Sequence, residues 1–355
     1  MSTTTRVGRH RAIALLLLVA AAGAGFAQDA DDRSPDARQP QGPLVAHNLH
    51  PFYAPFIQFF PHRATTVGAN TIAVFSYASY GNNFFYDPPE GGEDVYVILD
   101  SEAVYTTLGI TWGIHPRAEV NASIRGEAHF GGILDPALEA YHHLFGFPNA
   151  SREKRPQREV RFYFENDDGV LIDESTPVAD MTALTLEPRV EIIEENGGPF
   201  MLAGSIALKL PLSAPSITLT RSGTDVAVRL FADYDWLTAS LSASLGLGYL
   251  SQPDYIPETG FVPWILPFSL SFEWMATDTI SAVTTVTGNT SPFRLGYERT
   301  DRFSAIATMG GSIALSERLQ LQAGLSEEFF TFAATDVALH LALRYRFAQA
   351  WEPRQ

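Results

Sequence analysis

His340, Arg344 and Arg346 occupy alternate lines of one run, interleaved with Val337, Leu339, Leu341, Leu343, Tyr345 and Phe347. An extended chain sends successive side chains to opposite faces. One face of this run therefore carries an imidazole and two guanidinium groups, while the other is wholly apolar and ends in an aromatic pair. Charges of both signs fall on the same kind of face elsewhere: Arg125, Glu127, Glu187, Arg189, Lys209, Arg229, Asp233 and Glu273. Such a face could line and select a path for a polar solute. It could equally pair with itself across a narrow lumen and lock it shut, because a buried charge needs a partner.

Other chemistry is weaker. Glu139 and His143 are four apart, so a helix puts both on one face where a metal could bind. Two ligands do not make a site, so no metal and no cofactor is expected. A membrane hydrolase would need a serine, a histidine and an orienting polar group. His340 points inward from its strand, but the inward-facing serines are too many to single one out, so no catalytic residue is assigned. The absence of cysteine excludes thiol catalysis, thiolate zinc sites and a lipidated N-terminal cysteine. A basic patch at Arg152, Lys154, Arg155 and Arg158 could meet lipopolysaccharide phosphates, or be no more than a solvated loop.

The elements that must position these residues are strands. From about position 67 the hydrophobic period is two. Leu241, Ala243, Leu245, Leu247 and Tyr249 alternate with serines and glycines. Trp264, Leu266, Phe268, Leu270, Phe272 and Trp274 alternate with Ser269, Ser271 and Glu273, so tryptophans bound an apolar band at both ends, as an aromatic girdle requires. The spacing predicts strands over 67–80, 95–114, 118–129, 181–193, 199–210, 225–235, 238–250, 263–275, 279–289, 302–315, 318–328 and 336–347. Tight turns alternate with longer links, the asymmetry of an outer-membrane barrel. The longest link, 130–180, holds a predicted helix over 135–145, with Asp135 as cap, Pro136 in the first turn and Gly146 ending it. A small hairpin over 159–173 turns at 166–169. Tyr141, His142, His143 and Arg152 of this link are candidates to constrict the outer mouth.

Composition agrees. Hydrophobic residues make up 46% and charged residues 18%, and mean hydropathy is near zero, as expected when lipid-facing and inward-facing residues cancel. Arg6, Arg9 and Arg11, the apolar run from Ala12 to Ala22 and the small residues before Ala27 read as a secretory signal peptide over 1–27. Its removal takes the formal charge from −16 to −19, three arginines and no acid being lost. So acidic a chain does not favour nucleic acid. Residues 28–41 are polar and read as a disordered leader. Residues 42–66 are dense in aromatics and broken by prolines, an ordered non-helical segment that is either a lumen plug or a periplasmic strap. Its apolar character favours the strap over a place in a wet lumen. Residues 348–355 form a periplasmic tail.

Two stretches resemble a known family. Gly42-Pro43-Leu44 followed by Asn48-Leu49-His50-Pro51, and Tyr141-His142-His143-Leu144-Phe145-Gly146-Phe147-Pro148-Asn149 followed by Arg152 and Pro156, are similar to an uncharacterised bacterial outer-membrane family, domain of unknown function 3187. The resemblance spans roughly 42–347. It implies a barrel with an extended third-to-fourth strand link and carries no activity.

The expectation is an all-β fold: a transmembrane antiparallel β-barrel of about twelve strands, with a short helix in a long extracellular loop. It would be a monomer in the outer membrane of a Gram-negative bacterium. Its partners would be outer-membrane lipid and lipopolysaccharide, the outer-membrane assembly machinery and a small polar or amphipathic solute, with no nucleic acid. A porin-like channel or binding barrel is expected, with a closed structural barrel or an outer-membrane hydrolase as alternatives.

Overall fold

The computed structural model describes residues 39–53, 55–87, 95–146, 151–167, 169–193, 198–212, 223–328 and 334–347. The expected signal peptide, residues 28–38 of the leader, the tail from 348 and Phe147, Pro148 and Asn149 of the loop motif lie outside them.

In chain order the strands are β1 (Ile72–Asp87), β2 (Tyr96–His115), β3 (Ala118–Phe130), β4 (Arg161–Asn166), β5 (Gly169–Glu174), β6 (Val178–Ile193), β7 (Phe200–Pro211), β8 (Asp225–Asp235), β9 (Ala239–Tyr249), β10 (Trp264–Ile265), β11 (Pro267–Met275), β12 (Ile280–Asn289), β13 (Ser304–Ala314), β14 (Leu319–Glu328) and β15 (Val337–Arg346). β4 and β5 form a side hairpin, and the two-residue β10 leads into β11 along β9. The other neighbours run in chain order from β1 to β15, and β15 returns to β1 with Ala73 opposite Arg346 and Asn82 opposite Val337. The wall is thus a closed antiparallel barrel of twelve strands. Closure leaves no unpaired edge, the condition for a sheet to stand in lipid. No helix among the described residues is long and apolar enough to cross a membrane.

The alternation sets the two faces. On β15, Leu339, Leu341 and Leu343 are exposed outward while Ala338, His340 and Ala342 are buried. Trp112 and Trp274 stand outward near the short-turn end, and Tyr249 and Trp264 pack edge to face at 4.9 Å near the long-loop end. Two aromatic belts therefore bound the apolar band.

Helix α1 (Asp135–Phe145) spans the expected residues and ends on Gly146, whose φ of 69° is left-handed. Asp135 does not cap it. It is the first helical residue, the cap position falling on Leu134, whose side chain has no polar atom, and its carboxylate accepts from the Arg152 guanidinium and the Arg158 N–H. β1 begins five residues later than the periodicity predicts. Gly68 and Asn70 have positive φ, 83° and 58°, and the bend they make brings the chain so close to β2 that a Cβ on Gly113 would lie 1.8 Å from the Gly68 carbonyl oxygen. At its far end β1 runs on to Asp87, paired with Val97. Above the point where β3 leaves, β2 takes β4 as its neighbour instead, from Asp100 opposite Arg161 to Tyr96 opposite Glu165.

Leu341 lies at the middle of β15 and faces outward. Leu341→Arg is expected to destabilise the barrel by about 2–4 kcal/mol, measured by denaturant unfolding in lipid vesicles, whereas Leu341→Phe should change it by less than about 1 kcal/mol.

Candidate functional site

The lumen is occupied by the chain itself. The segment starts at the short-turn end, where the backbone N–H groups of Gln41 and Gly42 each donate at 2.8 Å to the Glu273 carboxylate. It rises along β12 and β14, with Leu44 N–H on Thr285 Oγ1 and Val45 N–H on the Gln322 side-chain oxygen. At the long-loop end Asn48 donates to Ser304 Oγ at 2.8 Å, and Leu49 N–H donates to Thr335 Oγ1 at 2.8 Å. A 3-10 turn, Pro51–Tyr53, reverses the chain. On the way back Ile57 N–H donates to Asp225, which opens β8, and Ala64 N–H donates to Asp233, near the end of the same strand. Thr66 N–H meets Glu191 and Val67 N–H meets Glu119, again at the short-turn end. Residues 41–67 therefore form a U-shaped plug as long as the lumen.

A strap across the barrel base is not what these contacts describe. The segment's apolar residues fit inside because the lumen is not uniformly wet. Leu49 packs with Ala103, Tyr105 and Ala338; Ala46 with Ile306 and Ala334; Ala64 with Met201, Ala203 and Phe231. The head of the U, Phe52, Tyr53, Phe56 and Ile57, joins Phe162, Phe164 and Ile172 of the hairpin and Phe293 in the largest apolar cluster among the described residues. Edge-to-face rings hold it, Phe52 against Phe164 at 5.8 Å and against Phe293 at 5.9 Å. This cluster lies across the long-loop end of the lumen.

The wall charges answer the plug backbone. Arg125 donates to the Phe56 carbonyl at 3.0 Å and to Thr182. Lys209 pairs with Asp225 at 2.8 Å and donates to the Pro55 carbonyl. Arg229 pairs with Glu187 at 2.5 Å and donates to the Phe60 carbonyl at 2.8 Å. Arg189 pairs with Glu119 at 2.5 Å and donates to the carbonyls of Arg63 and Thr65 at 2.8 and 2.9 Å. Asp233 receives Arg63 at 3.0 Å, and Arg63 also pairs with Asp235 at 2.6 Å. Glu127 differs: both carboxylate oxygens are buried with no partner among the described residues. His340 lies between Ser79 Oγ on Nδ1 and Ser326 Oγ on Nε2, each at 2.8 Å. With hydroxyls on both ring nitrogens, no carboxylate orients the ring as a serine hydrolase requires. Arg344 and Arg346 stand apart, at the short-turn opening. Of the plug's wall partners, Glu119, Asp225, Thr285, Ser304, Gln322 and Thr335 are not among the sequence candidates; Glu119 shares the alternation of Arg125 and Glu127, and that phase alone marks it.

In the loop, the basic patch is not one surface. Arg152 is buried, pairs with Asp135 at 2.8 Å and Asp336 at 2.6 Å, donates to Asn82 at 3.0 Å and covers the Phe84 ring at 4.2 Å. It ties helix α1 to β1 and to the start of β15. Arg155 pairs with Glu159, and Lys154 and Arg158 are exposed. Of the other constriction candidates His142 is buried, while Tyr141 and His143 are exposed. Glu139 receives the Gln157 amide at 3.5 Å, and no group of three potential metal ligands comes together among the described residues.

The family model described as "Protein of unknown function (DUF3187)" matches residues 36–347. The chain belongs to the DUF3187 family. Among solved structures, this DUF3187 barrel is similar to the COG4313 outer membrane channel from Pseudomonas putida F1, with TM-score 0.50 and 12% identity over 81% of this chain and 100% of that one. The NanC porin gives TM-score 0.44 at 6% identity over 76% and 98%. The KdgM porin gives 0.41 at 5% over 78% and 99%. The likeness to the COG4313 channel is one of fold. No curated protein matches it.

Arg63→Gln leaves Asp233 and Asp235 without their cation. Breaking a buried pair costs about 3 kcal/mol, so the descending arm of the plug should open locally while the wall stays intact. Hydrogen exchange at the Ala64 and Thr66 amides is expected to speed by roughly a hundredfold, with β12–β14 amides unchanged.

Proposed function

We propose that this barrel is an outer-membrane channel held shut by its own residues 41–67, and that it passes a small polar or amphipathic solute when that segment is displaced. The observation that carries this reading is the destination of the lumen charges. A permanently closed barrel needs only ion pairs across the lumen. Here Arg125, Arg189, Lys209 and Arg229 each reach a carbonyl of a separate segment, one that runs on covalently into β1 through the bend at Gly68 and Asn70 and is seated in a lumen that is polar without it.

The plug is firmly held. Each hydrogen bond to a charged group contributes about 1.5–3 kcal/mol, so thermal extraction of the whole segment is rare and opening is coupled to a ligand, a partner or a pull. The closed structural barrel is favoured by one observation, the aromatic cluster at the outer mouth, which joins the plug head to the β4–β5 hairpin.

Planar-bilayer conductance separates the two readings. The intact chain is expected to show rare, brief openings, and a chain lacking residues 41–66 sustained ones. A deletion barrel that keeps its folded migration in unheated gels and still never conducts would establish the structural reading instead. Because the chain has no cysteine, a Leu49→Cys/Thr335→Cys pair tests the same point without deletion: oxidation should abolish the brief openings and reduction should restore them.

A further inference from the structure

At the short-turn end, beneath the plug, lies a cavity of about 710 Å³ whose lining includes Arg318, Arg344, Arg346, Gln320 and Gln322. Its size falls within the roughly 300–1,000 Å³ of small-molecule sites. We propose that this vestibule binds a small anion bearing a carboxylate or phosphate group, held between Arg344 and Arg346.

Four observations carry the site. Arg344 and Arg346 are two apart on β15, so both project to the same side, the lumen side shared by His340 and Ala342. Neither makes an ion pair among the described residues, whereas Arg63 and Arg189, which also line the cavity, are matched by Asp233, Asp235 and Glu119. The Arg344 Nε is buried without a hydrogen-bond partner, as is the Nε of Arg189 in the same lining, and a buried guanidinium N–H left unpaired calls for an acceptor. The surplus is local: it occurs in a chain of net charge −16, and the acids at the cavity, Asp278 and Glu317, are exposed on its rim turns.

Two adjacent forks of N–H donors match the oxygens of a carboxylate or phosphate in bidentate fashion. The side-chain amides of Gln320 and Gln322 both donate to the plug, at Gln41 and Pro43 carbonyls respectively, so an anion on the arginines would sit directly against the plug's entry point. Arg344 lies opposite Gln320 in the β14–β15 register. This site belongs to the closed barrel and does not rest on the plug moving, so it stands or falls separately from the channel reading.

The full-length chain would be titrated by calorimetry in neutral detergent at low salt with inorganic phosphate and, separately, with succinate. Binding is expected at ~1 mM or tighter, weakening as salt is raised. Arg344→Gln/Arg346→Gln should weaken it by about tenfold or more, and Lys154→Gln, on the outer loop, should leave it unchanged. Protection of Arg344 and Arg346 from a dicarbonyl reagent, read by mass spectrometry on the wild-type chain, needs no variant. Protection in phosphatidylcholine nanodiscs only after phosphate or succinate is added identifies a soluble anion. Protection in phosphatidylglycerol nanodiscs with nothing added identifies a lipid headgroup. Both support the anion site. Equal modification of the two arginines in every condition, or a double variant that binds as the wild type does, overturns it.

Discussion

An irregular segment inside a membrane barrel has no ladder of its own and no lipid-side partner for its backbone, so every buried N–H and C=O must be met by the wall. The interior of this protein follows from that requirement. Carboxylates, hydroxyls and a side-chain amide at Glu119, Asp225, Asp233, Glu273, Thr285, Gln322 and Thr335 accept from the plug's N–H groups, while arginines and a lysine donate to its carbonyls. Small apolar wall positions such as Ala103, Ala203 and Ala338 leave room for the plug's side chains. The mixed charge that could have lined an aqueous pore is complementary to a strand of peptide.

The same requirement accounts for how these charges are tolerated. A buried ion pair gains little by itself, since desolvation offsets the attraction unless the remaining donors are also met. Arg189 and Arg229 meet this condition at their terminal nitrogens, which hold a carboxylate and plug carbonyls, while the Nε of each is buried without a hydrogen-bond partner. The pair and the plug are therefore energetically one unit. Loss of the plug would leave those carbonyl-directed donors facing an emptied lumen, which is where a hydrated solute could take over.

Much of this was legible from the residues. Period-two alternation locates the twelve strands, and Asp135 to Phe145 marks the helix to the residue. β1 was misplaced because Val67 and Ala69 continue the alternation although Gly68 and Asn70 turn the backbone. Asp135 looked like a cap because its type and position suit one; a partner seventeen residues on, Arg152, takes its carboxylate instead. The plug is the more instructive case. Its aromatics suggested a dry surface outside the lumen, but its prolines carry the better signal. Each removes a donor and keeps an acceptor, so the segment has more carbonyls than N–H groups, and the carbonyls of Pro43 and Pro55 are met by side-chain donors of Gln322 and Lys209. The Asn48 and Leu49 of the opening motif are where the plug is pinned at its crest, a role visible only once β13 and β15 stand beside it.

The U-turn at Pro51–Tyr53 also bears on how the molecule is put together. Its bulky head sits at the end of the cylinder opposite to the one where the tether to β1 emerges. A tube completed beforehand would have to admit Phe52, Tyr53 and Phe56 past a full length of side chains that already fit closely. A sheet that curls around them does not. The seam between the first and last strands, where Ala73 faces Arg346 and Asn82 faces Val337, is thus the line along which such a sheet closes over its occupant.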